Sequence, residues 1–336
     1  MRKKVQRLRR VFISIRFMAF GTFIVTSLIA LRHIIDTPQP LESKLPGEAH
    51  LYRWQHGHIF YKTLGDKSKP PLVLLHTPGF GASAFEMRKI IKALAQHYFV
   101  YAPDLLGFGL SDRPHIAYSA GTYVALCHDF LTHVVGQPAT LVASGLSGNY
   151  AVTVAQRFPE TCHRLVLISP FAILSNTRRE ALWSNLLALP TLGFLLYALL
   201  SSRPFLRFML SRHYSPHEII SSSDRDYLYA TTHQFGAEHA PLALLKGALS
   251  LDASQAFDML QQPTLLIVGV KALHTASLYD LPDTIEMVLI QEAGAFVHEE
   301  YPAIVVANIQ EWNKVHAIEK VKTVNTPSDL TDSPDK

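Results

Sequence analysis

A turn within residues 141–160 combines residue types that could support nucleophilic catalysis. The stretch reads LVASGLSGNYAVTVAQRFPE, which is the pattern of a buried strand, a sharp turn and a helix. Ser144 and Ser147 lie at the turn. A serine hydroxyl becomes a nucleophile when a histidine takes its proton and a carboxylate orients that histidine. The residue at the tip of the turn is Gly145, which has no side chain. The stretch therefore has the shape of a catalytic turn without a nucleophile at its tip.

The turn belongs to a regular succession of strands and helices. Continuous apolar strands separated by helical segments are typical of a parallel sheet covered by helices on both faces. The sequence therefore predicts an α/β fold. The predicted strands cover residues 59–65, 71–76, 98–104, 139–144, 164–170, 263–269 and 286–291.

The alternation of strands and helices stops between Pro170 and Gln262, where the pattern is helical. Residues 181–202 of this insert are apolar and carry no charge. Pro190 and Gly193 argue against one continuous apolar helix, so that we expect two short helices that break near Pro190. Such helices could line a lipophilic pocket, rest on a membrane, or simply pack on the sheet as core.

Five motifs, in their order and spacing, resemble those of the α/β-hydrolase superfamily over about residues 50–316. The resemblance implies an α/β-hydrolase fold, with a mostly parallel twisted sheet flanked by helices. It also implies a domain at residues 48–316 and a helical cap at about residues 171–250. The motifs are YFVYAPDLLGFGLSDRP at 98–114, LLHTPGFGAS at 74–83, RLVLISP at 164–170, PTLLIVG at 263–269 and GAFVHEEYP at 294–302.

The same resemblance implies where a nucleophile, an acid and a base would lie, and none of the three positions carries a suitable side chain. The nucleophile position falls on Gly145, because the small residues and the proline of the next helix then lie at the family's offsets. The acid position, just after the strand at 263–269, falls on Ala272. The base position is Ala295, five residues before Glu300 in the histidine motif. We therefore predict that triad-based hydrolysis is absent.

An alternative hypothesis keeps serine chemistry with a shifted register. Ser147 becomes the central residue if the motif slides by two positions, and Ser144 is the other candidate nucleophile. His298 would then be the base, although it lies three residues beyond the position that the family uses. Asp280 and Asp283 could supply the carboxylate only if their loop folds back. A third hypothesis is a lyase or another non-hydrolytic enzyme on the same scaffold.

Backbone N–H groups that hold an oxyanion would also lie near the turn. Thr77 and Pro78 occupy positions where the family more often has glycine, and a proline at the donor position has no N–H to give. If the loop holds two extra residues, Gly79 or Phe80 could donate instead. The N–H of Leu146 is expected to be available in either case, where it could hold an anion or a carbonyl group.

Both ends of the chain differ from the body. Residues 1–16 hold seven Lys and Arg and no acid, and an apolar run at residues 17–31 follows. We expect residues 1–35 to form an uncleaved membrane anchor, with the N-terminus in the cytoplasm and the body on the opposite side. A cleaved signal peptide and an interfacial amphipathic helix are the alternatives.

The polar C-terminus, residues 317–336, predicts a disordered tail.

Composition narrows the choice of partners. The chain has 336 residues and a net charge of +4, and without its basic N-terminal block it is slightly acidic, so that we predict no nucleic-acid partner. Seventeen histidines occur without a metal-binding motif, and no dinucleotide-binding motif follows a strand, so that we expect neither a metal nor a cofactor. The predicted function is therefore a membrane-anchored protein of this fold that binds a lipophilic small molecule or a protein partner under the cap.

Overall fold

A mostly parallel sheet of eight strands forms the centre of the structure. The computed structural model describes residues 38, 40–170, 190–214, 220–272 and 285–324. The strands are β1 Glu48–Trp54, β2 Gly57–Leu64, β3 Pro71–Leu75, β4 Phe99–Pro103, β5 Ala139–Ser144, β6 Cys162–Ile168, β7 Thr264–Gly269 and β8 Ile285–Ile290. They lie in the order β1-β2-β4-β3-β5-β6-β7-β8. β2 is antiparallel to both β1 and β4, and the remaining neighbours are parallel.

Helices cover the sheet, and a group of helices is inserted between β6 and β7. Within the described residues, the helices are a 3₁₀ helix Ala84–Met87, α1 Ile91–Leu94, α2 Ala120–Phe130, α3 Ser147–Arg157, α4 Pro190–Leu200, α5 Arg203–His213, α6 Ser222–Thr232, α7 His239–Leu245, α8 Ser254–Asp258, α9 Val297–Glu300 and α10 Pro302–Val324. A π-helical segment, Leu131–Val135, continues α2, and a 3₁₀ turn, Val270–Ala272, follows β7. We call α4 to α8 the insertion helices. Their presence agrees with the helical pattern that the sequence shows in this region.

Alternate residues of the central strands pack on opposite faces of the sheet, as the pleat requires. Leu72 and Leu74 of β3 pack in the apolar cluster that contains residues of α1 and α10. Val73 and Leu75 pack in the cluster that contains residues of α2 and α3. All five residues of β3 are buried. The predicted parallel sheet with helices on both faces is therefore confirmed.

The insertion helices are tied to the rest of the fold by specific contacts. α4 is described from Pro190 onward. Tyr197 of α4 is fully buried, and its ring lies 5.7 Å from that of Phe80 in the loop after β3. The Tyr150 hydroxyl of α3 donates to the carbonyl oxygen of Leu249 at 2.7 Å. The first half of the apolar segment, residues 181–189, lies outside the described residues.

The membrane anchor predicted for residues 1–35 is wrong. Within the residues that the structure describes, no helix is both long enough and apolar enough to cross a membrane. α10 has 23 residues, but it carries charged side chains such as Glu311 and Lys314. The run at residues 17–31 lies outside the described residues. Neither the span nor the orientation assigned to it is retained.

The C-terminal helix extends further than the sequence indicated. α10 runs to Val324, into the segment 317–336 that the sequence predicts as a disordered tail. Residues 325–336 lie outside the described part of the chain. The limits expected for the hydrolase-like domain at 48–316 and for the cap at 171–250 stay predictions.

Candidate functional site

The turn between β5 and α3 has a glycine at its tip. Gly145 has a φ of 52°, in the left-handed region that glycine adopts without a steric penalty. Its N–H donates to the carbonyl oxygen of Ile168 on β6 at 2.9 Å, and its own carbonyl oxygen accepts from the N–H of Gly148 at 3.1 Å. Backbone bonds therefore fix the turn, and no side chain projects from its tip.

The two serines beside the tip have other partners. Ser147 is fully buried, and its Oγ donates to the carbonyl oxygen of His76 at 2.6 Å. Ser144 is also buried, and its hydroxyl interacts with the carboxylate of Glu86. Nε2 of His298 lies 3.2 Å from Oε1 of Glu86. The structure thus places Ser144 and His298 at the same buried carboxylate, that of Glu86. This carboxylate is paired with the imidazole of His298.

Glu86 is held as a carboxylate in this buried position. Burial alone raises the pKa of Glu86, but the adjacent His298, assisted by the Ser144 hydroxyl, outweighs burial and lowers that pKa below its usual value. Oε2 of Glu86 accepts from the N–H of Thr77 at 3.0 Å. Oε1 and Nε2 of His298 are close enough for an ion pair but are not aligned as a hydrogen bond.

Sequence reasoning missed Glu86. This residue lies in the 3₁₀ helix Ala84–Met87, which is fixed to the sheet because the N–H of Ala84 donates to Oδ1 of Asp104 at 2.6 Å. The only signal in the sequence is a single acid between Phe85 and Met87. The partner, His298, follows more than two hundred residues later, so that nothing in the local pattern links the two.

The positions assigned to the acid and the base hold alanines. Ala272 ends the 3₁₀ turn Val270–Ala272 that directly follows β7. Ala295 is buried, and it precedes Phe296, whose ring stacks on Tyr214 of the insertion at 5.0 Å. The alternative carboxylates, Asp280 and Asp283, lie outside the described residues.

The backbone donor next to the tip is already bound within the chain. The N–H of Leu146 donates to Oγ1 of Thr77 at 3.1 Å, and the N–H of Thr77 in turn donates to Glu86. The expectation that Leu146 offers a free N–H is therefore wrong. Thr77 stands where the family more often has glycine, and its hydroxyl accepts the hydrogen bond from that N–H. Gly79 and Phe80, the other expected donors, lie on the wall of the neighbouring cavity.

A cavity of about 550 Å³ lies between this turn and the insertion helices. Its wall is largely apolar, and α5 contributes one helical face to it. Ligand pockets in proteins typically measure about 300 to 1,000 Å³ and have mostly apolar walls. The cavity therefore has the size and character of a small-molecule site. Residues that represent its apolar wall are Phe80, Leu146, Phe205, Leu206, Met209 and Leu210.

The polar part of the cavity wall is organised around Arg88. Nη2 of Arg88 lies 2.6 Å from Oε2 of Glu299 and 3.3 Å from Oδ2 of Asp224. Burial would lower the pKa of Arg88, but the charges of Glu299 and Asp224 outweigh burial and raise it. The guanidinium also lies over the ring of Phe85, 4.5 Å from its centroid. Because Asp224 belongs to α6, this cluster links the insertion helices to the sheet domain.

The strand order, the turn and the cavity together define a protein of the α/β hydrolase type. The model of the alpha/beta hydrolase family matches residues 72–308. This match covers more than half of the chain, and the protein therefore belongs to the α/β hydrolase family.

Curated relatives match a part of the chain. An uncharacterized protein of Mycobacterium tuberculosis is 36% identical over 102 residues, which cover 30% of this chain and 29% of that protein. The 2-hydroxy-6-oxo-2,4-heptadienoate hydrolase of Pseudomonas putida is 34% identical over 105 residues, which cover 31% of this chain and 38% of the enzyme. The chain thus spans less than half the length of these relatives.

Solved structures agree with the family over most of the chain. Cfl2 of Burkholderia cenocepacia matches with a TM-score of 0.64 and 23% identity, covering 82% of this chain and 99% of that one. The epoxide hydrolase CorEH matches with a TM-score of 0.66 and 23% identity, covering 79% of this chain and 98% of that one. At such identities the likeness shows the fold alone, and the predicted α/β-hydrolase fold is confirmed.

Proposed function

We propose that this protein binds a lipophilic small molecule in the cavity beneath the insertion helices and carries out no triad-based hydrolysis. The observation that carries the proposal is the turn after β5. Gly145 leaves no nucleophile at its tip, and the adjacent N–H of Leu146 is bound by the Thr77 hydroxyl. Serine hydrolysis needs a nucleophile, a base and free oxyanion donors in one place.

The base is also missing from its expected place, since Ala295 has no proton-accepting group. His298, three residues further on, is fully buried and paired with Glu86. A base must lie within hydrogen-bond reach of the proton that it removes. The imidazole of His298 is instead held beside the carboxylate of Glu86.

An atypical serine hydrolase is the alternative, because the curated relative from Pseudomonas putida is named a hydrolase. It would use Ser144 or Ser147 with His298. Both serines are buried, and among the described residues that line the cavity neither of them occurs. The alternative would require the hydroxyl of Ser147 to leave His76 and face the cavity. The structure gives this rearrangement no support, and serine labelling tests it directly.

A lipophilic ligand suits the cavity better than a protein partner does. The space lies between α5 and the turn, and residues such as Leu206 and Met209 face it from the insertion. Burial of apolar ligand surface against such a wall stabilises a complex by roughly 25 cal/mol per Å². A molecule small enough to fit inside the cavity would bury most of its surface, and the complex would be stabilised in proportion to that buried surface.

Dye titration tests whether the cavity binds apolar molecules. The full-length protein is titrated with the neutral fluorescent dye N-phenylnaphthylamine, and we expect a saturable rise in emission with one dye per chain. Met209→Trp should weaken dye binding roughly tenfold or more, which corresponds to about 1.4 kcal/mol, because the larger ring fills the cavity. The matched control is Phe208→Trp, since Phe208 is the preceding residue of α5 and is 55% exposed.

Two outcomes would contradict ligand binding in the cavity. One is a wild-type protein that shows no saturable dye signal although it is folded. The other is an equal loss of dye binding in Met209→Trp and Phe208→Trp, which would place the dye elsewhere on α5.

A further inference from the structure

We infer that the cavity selects its ligand by charge, accepting a lipophilic molecule that carries a protonated amine and rejecting one that carries a carboxylate. This inference rests on the proposed ligand-binding function. It adds the chemical class of the ligand, which neither the family nor the relatives supply.

The charged residues in the cavity wall are predominantly acidic. Glu86, Asp224 and Glu299 contribute carboxylates, and Arg88 contributes the one guanidinium among the described lining residues. The buried His298 is paired with Glu86. Among the described lining residues, the three carboxylates therefore outnumber the one guanidinium, and the polar part of the wall is richer in acidic than in basic groups.

Arg88 is not available to bind an acidic ligand. Its Nη2 contacts both Glu299 and Asp224, and its Nη1 donates to the carbonyl oxygen of Phe85 at 3.3 Å. A ligand carboxylate would have to displace one of these two carboxylates and then remain beside it. Two like charges at such a short distance repel each other strongly where water is excluded. Lys89, the nearest further cation on this segment, donates to the carbonyl oxygen of Glu299 at 2.8 Å and is not among the lining residues.

Glu86 presents a buried carboxylate to the cavity. Its side chain is only 8% exposed and lines the cavity, and Oε1 contacts Nε2 of His298 at 3.2 Å without an aligned hydrogen bond. A carboxylate in such a position gains from a further, well-aligned donor. A protonated amine would supply both a hydrogen bond and a compensating charge, which makes it a better match than a neutral hydroxyl.

The apolar wall accommodates the rest of such a ligand. Phe205, Leu206, Met209 and Leu210 are spaced so that they share one face of α5, and this face lies against the cavity. An alkyl chain or a small hydrocarbon ring can pack there while its amine reaches the carboxylates. The cavity therefore suits an amphiphile with a cationic end.

Three amphiphiles with the same alkyl chain test the inference. Octylamine, octanol and octanoate each compete with N-phenylnaphthylamine for the full-length protein at neutral pH, where the amine is protonated and the acid is ionised. We expect octylamine to displace the dye at roughly a tenfold lower concentration than octanol, the difference between a charge-assisted and a neutral hydrogen bond. Octanoate should be the weakest competitor.

Carboxylate-to-amide variants locate the effect. Glu86→Gln should reduce the preference for octylamine over octanol toward parity while the dye still binds. Asp224→Asn removes a second wall carboxylate without touching His298, and it serves if Glu86→Gln folds poorly. The matched control is Glu292→Gln, which changes an exposed acid paired with Lys271 and should leave the preference unchanged.

The outcomes separate this inference from the function on which it rests. Saturable dye binding with octanoate as the strongest competitor, or with all three amphiphiles equal, would overturn the charge selectivity and leave ligand binding intact. A preference for octylamine that survives in both cavity variants would also overturn it. Absence of saturable dye binding in the folded wild-type protein would instead overturn the proposed function.

Discussion

With Gly145 at its tip, the turn after β5 lacks a hydroxyl and also lacks the backbone strain that a side chain would cause there. At a φ of 52° the backbone is in a region that side chains rarely adopt, and glycine relieves the strain that a serine there would cause. The neighbouring residues also engage one another, because Thr77 binds the Leu146 N–H and Glu86 contacts both Thr77 and His298. The loss of catalysis that we propose is therefore spread over several residues rather than confined to one.

Restoring the serine alone should not restore turnover. In Gly145→Ser we expect hydrolysis of a nitrophenyl ester to stay at the wild-type rate, because Ala295 provides no base. The variant should also lose about 1 kcal/mol of unfolding free energy, owing to the left-handed backbone. Ester hydrolysis and urea unfolding measure the two effects. Turnover well above that of the wild type would mean that another group activates the new hydroxyl.

The pairing of Glu86 with His298 should make stability depend on pH. The pKa of Glu86 is lowered in the folded protein, so that its contribution is present above the unfolded pKa of about 4.3 and is lost as pH falls through the lower folded value. Between about pH 5 and pH 3 the wild type should therefore lose unfolding free energy more steeply than Glu86→Gln. Urea unfolding at a series of pH values measures this slope. Glu160→Gln, on the exposed surface, is the control, and identical slopes in wild type and Glu86→Gln would refute the assignment.

Among the elements, the insertion helices contact the sheet domain through a largely buried ionic cluster. Arg88, next to the 3₁₀ helix Ala84–Met87, bridges Glu299 of α9 and Asp224 of α6. Breaking a buried ion pair by removing one partner is costly, because the other charge is left without compensation. An exposed pair contributes much less. A variant of the buried cluster and a variant of an exposed ion pair can therefore be compared by their free energies of unfolding. The difference measures the link between the insertion and the sheet domain.

Arg88→Met should destabilise the protein by about 3 kcal/mol, since Glu299 has a side chain that is only 4% exposed. The matched control is Arg203→Met, which removes the partner of Asp226 on the surface, where both side chains are more than half exposed. We expect the control to cost much less, because solvent screens an exposed ion pair. Urea unfolding provides both values. Equal losses in the two variants would show that the buried cluster does not hold the insertion in place.

At the scale of the whole molecule, the sequence predicts what is local and misses what joins distant segments. Runs such as PLVLL at residues 71–75 and the spacing around Gly145 predict the sheet and the turn, because strand burial and turn geometry depend on neighbouring residues. The pairing of Glu86 with His298 and the hydrogen bond from the Leu146 N–H to Thr77 join residues from distant segments of the chain. The membrane anchor predicted for residues 1–35 has no support in the described residues, where no helix is long and apolar enough to cross a membrane.

Chemical labelling tests most directly the claim that no serine in this fold is activated. The folded full-length protein is incubated with a reactive fluorophosphonate, beside an active serine esterase as a positive control, and the intact mass is read. We predict that the mass of this protein stays unchanged while the esterase is labelled. A stoichiometric adduct that maps to Ser144 or Ser147 would contradict the account and would establish a serine hydrolase with a rearranged turn.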